Sequence, residues 1–120
     1  MPEFKFITHN DTKILILDFS KAKPEESITL IQKVKGEIRK HPKNSLSIIT
    51  DVSDMRVNKE ITQAMKDFTA HNKPYVKKSC VVGITGIKKV LYSAVIKFSN
   101  RDIQLCTNKE EAKQYLAKKQ

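Results

Sequence analysis

The 120 residues carry a formal net charge of +10, with 30% of positions charged and two cysteines. A chain of this length can bury a core of its own, so neither a disulfide framework nor a structural metal is needed, and a single domain over 1–120 is expected. No apolar run approaches the ~18 residues of a membrane span, and the start Met1-Pro2-Glu3-Phe4-Lys5 lacks a secretory apolar region, so a cytoplasmic protein without a transmembrane segment is expected.

In chain order, Phe4-Lys5-Phe6-Ile7-Thr8 alternates and then meets the turn formers His9-Asn10-Asp11-Thr12, which predicts a half-covered strand and a hairpin. Lys13 to Phe19 is almost uniformly apolar and reads as an interior strand, with the first strand antiparallel to it at an edge. Pro24 suits a first helical position, and Glu25 and Glu26 place negative charge at the positive end of the helix dipole. Ile28, Ile31, Val34 and Ile38 form a stripe down to Arg39, Lys40 and His41, and Pro42 stops the helix.

Leu46 to Asp51 is the next interior strand. The loop 52–57 leads to Asn58 as a helix cap, followed by Ile61, Ala64, Met65 and Phe68 at helical spacing; His71-Asn72-Lys73-Pro74 closes that helix. Ser79 to Thr85 is apolar on both faces and passes through Gly86 to Ile87, Val90, Leu91, Ala94, Val95 and Phe98, a single helical stripe. Ser99-Asn100 offers a left-handed cap, and 102–106 a short last strand. Thr107-Asn108-Lys109-Glu110 fits a capping box before Ala112, Tyr115 and Leu116. The order β-β-α-β-α-β-α-β-α predicts an α/β fold with a mostly parallel sheet and an antiparallel first strand.

That order is joined by three motifs: Asp51-Val52-Ser53 ending the third strand, His71-Asn72-Lys73-Pro74-Tyr75-Val76-Lys77-Lys78-Ser79 entering the fourth, and Val82-Gly83-Ile84-Thr85-Gly86-Ile87-Lys88-Lys89 at the strand-to-helix turn. Together they resemble the bacterial SpoIIAA-like, STAS-like small domains over nearly the whole chain. The resemblance implies a βα superhelix, shared with anti-sigma-factor antagonists and more remotely with CRAL-TRIO lipid carriers. It also implies a non-enzymatic interaction or regulatory domain that binds a protein partner or itself through the second helix and its preceding loop. In the antagonists a Ser or Thr at the start of that helix is phosphorylated; here Arg56-Val57-Asn58-Lys59-Glu60 has no hydroxyl, and Ser53 is the nearest substitute.

Open α/β sheets gather ligands beyond the C-terminal strand ends, beside helix N-termini. Asp18, Ser20, Lys21, Asp51, Ser53, Asp54, Arg56, Asn58, Thr85 and Gly86 are expected there as a ligand or partner site. Val82-Gly83-Ile84-Thr85-Gly86 lacks the spacing of a nucleotide-binding glycine loop, so no cofactor is expected. No Ser/His/Asp or Cys/His arrangement is recognisable, and His9, His41 and His71 all fall at turns or helix ends, so an enzyme is not expected. Cys80 and Cys106 lie in apolar strand patterns and read as inert hydrophobes; no Cys/His cluster has metal-ligand spacing.

Residues 1 to 60 carry 11 Lys/Arg against 9 Asp/Glu, and residues 61 to 120 carry 12 against 4. The basic second half suggests two alternatives to a protein partner. One is a carrier of a lipid or other apolar or anionic ligand. The other is a nucleic-acid surface at Lys73, Lys77, Lys78, Lys88 and Lys89, which is disfavoured because only Tyr75 and Tyr92 could stack among those lysines. Only three cations are Arg, so a solvated lysine surface explains most of the charge.

Overall fold

The computed structural model describes residues 2–86 and 88–117. The first hairpin follows from its turn: Asn10 and Asp11 have φ of 48° and 66°, the left-handed pair that a two-residue connection requires, so β1 (Glu3–His9) folds directly back on β2 (Thr12–Asp18). The chain continues through α1 (Pro24–Ile38), β3 (Leu46–Asp51), α2 (Lys59–Asn72), a short 3-10 turn at Lys73–Tyr75, β4 (Val76–Val82), α3 (Lys88–Ser99), β5 (Gln104–Cys106) and α4 (Lys109–Ala117). The strands lie in the order β1-β2-β3-β4-β5, with β1 antiparallel to β2 and every other pair parallel. The apolar strand β4 is thus interior and runs alongside both its neighbours, as its composition predicts.

Each crossover moves one strand further in the same direction, and crossovers of one hand then deliver their helices to one face. Accordingly α1, α2 and α3 share a core in which Val34, Ile38, Ile61, Phe68 and Val95 pack on Leu15, Leu17, Ile48 and Val81. Among the described residues α4 joins no pair of sheet strands, so that constraint does not act on it. It folds onto the opposite face, where Ala112 and Leu116 cover Ile14, Ile16, Ile49, Cys80, Val82 and Cys106. Both cysteines are buried free thiols, and burial pushes the Cys80 thiol strongly up, so inert packing describes them.

Four local expectations are corrected. The single buried stripe on α3 is rotated: Lys88, Val95 and Ser99 are buried, whereas Val90 is 70% and Phe98 53% exposed. Ile87, the first residue of that stripe, lies outside the described residues. The Tyr92 hydroxyl donates to the Ile103 carbonyl, which pins the helix to the β5 approach, and α2 flanks only one side of its apolar arc. β4 runs Val76–Val82 rather than 79–85, because Gly83 at φ 92° diverts the chain. β5 is shorter than 102–106, starting at Gln104. The cap of α4 is Asn108, whose side-chain oxygen accepts from Glu111 N–H at 2.8 Å, in place of Thr107.

Candidate functional site

Two of the three interior strands, β2 and β3, leave the sheet by the same device. Asp18 Oδ1 accepts from Ser20 N–H and Asp51 Oδ1 from Ser53 N–H, both at 2.9 Å. The residue after each aspartate, Phe19 and Val52, is buried. The residue after each serine is left-handed, with φ of 59° at Lys21 and 56° at Asp54. Ala22 N–H then bonds the Phe19 carbonyl and Met55 N–H the Val52 carbonyl, both at 3.1 Å, closing matching turns that return an apolar side chain to the core. An aspartate accepting from the backbone two residues on supplies the local bond that starts such a turn. Asp-apolar-Ser-x-apolar, present at 18–22 and again at 51–55, is therefore a repeated sequence signal for this exit, and reading the chain for long repeats misses it.

The expected site residues do gather at this rim. Asp18 and Asp51 are register neighbours, and Lys109 Nζ, arriving from α4, stands 3.5 Å from Asp51 Oδ2. Lys21 N–H donates to the Ser53 carbonyl and Arg56 N–H to the Ala22 carbonyl, stitching the two exits together. Asn58 caps α2 through Ile61 N–H at 2.9 Å. The Thr85 and Gly86 carbonyls accept the Lys88 and Lys89 amides at the start of α3. Partial burial works to raise the Asp18 carboxyl, but the Ser20 hydroxyl and N–H, with Lys109 beside it, hold it below the usual carboxylate range. Asp54 is exposed and is not part of this pairing.

The rim's polar groups are thus occupied in making turns. Ser53 is packed closely enough against the third exit that a Cβ on Gly83 would stand 2.5 Å from its Oγ and 2.6 Å from its N. A phosphate on Ser53 would meet that contact and the Asp51 carboxylate together, a like-charge arrangement.

The proposed basic surface divides. Lys73, Lys77 and Lys78 belong to the N-terminal end of β4, while Lys88 and Lys89 begin α3 beyond its C-terminal end, roughly 20 Å away at ~3.3 Å per residue. Lys78 crosses to the α4 face, its Nζ 5.2 Å from the Tyr115 ring centroid, and Lys88 is buried. Arg101, also buried, donates from Nη1 to the Thr69 carbonyl in the last turn of α2; burial lowers its pKa to about 10.

A feature that strand-and-loop reasoning overlooks lies between α2 and α3. Val57, Lys59, Thr62, Lys66, Val90 and Ala94 line a groove of about 480 Å³, and Lys66 Nζ sits 5.9 Å from the Phe98 ring centroid. Leu91 forms part of its floor and also borders a smaller apolar cavity of about 70 Å³, reached between Met65, Val81, Tyr92 and Ile103. The sequence carried no separate signal for it, because the apolar positions of α3 have the spacing of a single core-facing stripe.

Comparison of the chain with protein-family models, with curated proteins and with solved structures finds no match.

Proposed function

We propose that the protein is a non-enzymatic interaction domain whose groove between α2 and α3 receives an acidic amphipathic segment of a protein partner. The observation that carries this reading is the exposure of Val90 and Phe98 on α3, large apolar side chains left in solvent in and beside a groove rimmed by Lys59 and Lys66. Covering each of the two would contribute about 1.5–3 kcal/mol. The helix that presents them has lysines at 88, 89 and 97 and no acidic residue, which selects acidic character in whatever lies across it. An amphipathic helix seats its apolar face in such a groove through anchors at helical spacing. The cavity beyond Leu91 suits one small anchor, and at about 70 Å³ it is far below the ~300–1,000 Å³ of ordinary ligand sites, so the groove reading has more support than a lipid carrier. The resemblance to STAS-like domains, which use their second helix and its preceding loop for partner contacts, favours the same surface.

The test uses a fluorescent helical peptide with leucines at i, i+3, i+4 and i+7 and glutamates on its other face. Saturable anisotropy binding is expected, weakened roughly tenfold or more by Val90→Glu with Phe98→Glu, substitutions at exposed sites that leave the core intact. Equal binding by the parent and the double variant overturns the proposal. Light scattering of both proteins across concentration identifies a second copy of the chain as the occupant if only the parent associates.

A further inference from the structure

The parallel run of β2 to β5 gathers at one pole the loops that leave α1, α2 and α3, although they are far apart in sequence. Two of these loops are joined directly: Asn44 N–H donates to the Pro74 carbonyl at 2.9 Å and Ser45 N–H to the Tyr75 carbonyl at 3.1 Å. The third is tied in by Arg101 through the Thr69 carbonyl. The hairpin strands reach the same pole, with the His41 ring 5.4 Å from Phe6 and Lys13 Nζ 4.6 Å from the Phe6 centroid.

This fastening brings Arg39, Lys40, Lys43, Lys73 and Lys77 to one end of the molecule, all exposed. Lys40 approaches Glu37 at 3.8 Å; among the described residues, no carboxylate comes within 4.0 Å of Arg39, Lys43, Lys73 or Lys77. Helix dipoles account for part of this charge, since three C-termini meet here, but each carries only about half a negative charge. The same end also carries Glu37 and the exposed Asp11 and Asp102, which its cations outnumber, whereas the opposite pole is more evenly mixed, with Glu25, Glu26, Asp51, Asp54, Glu60 and Glu110 set among its lysines. The molecule therefore presents a directed field, positive at the loop pole.

We propose that this pole docks the protein on an anionic lipid bilayer, independently of the α2–α3 groove. The cations stand on neighbouring loops whose exposed prolines, Pro42 and Pro74, lie between them. A cluster of loops can lay several charges on a plane, whereas single-stranded nucleic acid is tracked by a charged groove with stacking aromatics. Four of the five cations are lysines, which act as point charges on flexible stems. They can meet a fluid array of headgroups without the fixed fork geometry through which Arg reads a base edge or a phosphate.

Co-sedimentation of the whole protein with vesicles of phosphatidylcholine, with or without phosphatidylserine, tests this at low and physiological salt. Binding is expected only with phosphatidylserine and should weaken as salt rises. Charge reversal at Arg39, Lys43, Lys73 and Lys77 together should lower the partition coefficient on the order of 100-fold or more, while Lys23→Glu with Lys89→Glu at the other pole retains most of it. Circular dichroism confirms that each variant is folded. No phosphatidylserine-dependent binding at low salt, equal losses in the two variants, or tighter binding to a random RNA oligonucleotide than to the vesicles would each overturn the assignment.

Discussion

The same four parallel strands supply both faces of the sheet, yet the faces are covered very differently. Three helices of 15, 14 and 12 residues close one face, and a single helix of 9 residues closes the other. A helix that short is marginal on its own in water, so α4 persists through Ala112 and Leu116, the Asn108 cap and the Lys109–Asp51 ion pair. The difference teaches that a parallel sheet can be covered on both sides while most of its buried apolar side chains lie on one. The thinly covered face should be the first to open.

The largest effect is expected on the three-helix face. Phe68→Ala removes a side chain that is 2% exposed from the centre of that core and should cost about 3–5 kcal/mol, read from the midpoint of urea unfolding. A cost below ~1 kcal/mol would erase the distinction between the faces. Gly83→Ala acts where β4 leaves the sheet; a left-handed φ and the contact with Ser53 together should cost about 2–4 kcal/mol, with the unfolding slope unchanged.

On the other face, Leu116→Ala should cost about 2 kcal/mol, at the low end for a buried leucine because the helix can settle inward. Hydrogen exchange sharpens the contrast: amides of α4 should lose protection in this variant while those of α1 and α2 keep theirs. Uniform loss across the chain would mean that the faces unfold as one unit.

The smallest effect concerns acid. The Asp18 carboxyl is held below its ordinary 3.8, so its contribution is present above that pH and is lost as pH falls through the depressed value. Ser20→Ala should reduce this acid sensitivity. The difference is expected to be about a few tenths of a kcal/mol because the group is largely solvated, and it should appear in stability curves below the ordinary aspartate pKa.

Strand and helix order was legible because apolar runs such as Ile14-Leu15-Ile16-Leu17 and stripes such as Ile61, Met65 and Phe68 state their own periods. The exits were partly legible. Asp51-Val52-Ser53 stood out as a motif, but its twin at Asp18-Phe19-Ser20 became meaningful only when Asp18 and Asp51 proved to be register neighbours making the same turn, with Lys109 paired to Asp51. The charge was misleading in one dimension. Counting by halves groups Lys73 with Lys88, whereas the structure sends them to opposite ends of β4 and sets Lys73 beside the loop that carries Lys43.

The sequence by itself determined which segments are strands and helices, that β4 is interior, and that the first strand pairs antiparallel at an edge. Those outcomes follow from local periodicity, turn chemistry and the handedness of crossovers. Tertiary structure alone decided that α4 covers the second face, that α3 turns Val90 and Phe98 outward, and that cations from separate loops share one pole. These depend on which surfaces remain uncovered once the sheet has formed, and a parallel sheet brings together positions that are a full βα unit apart in the chain.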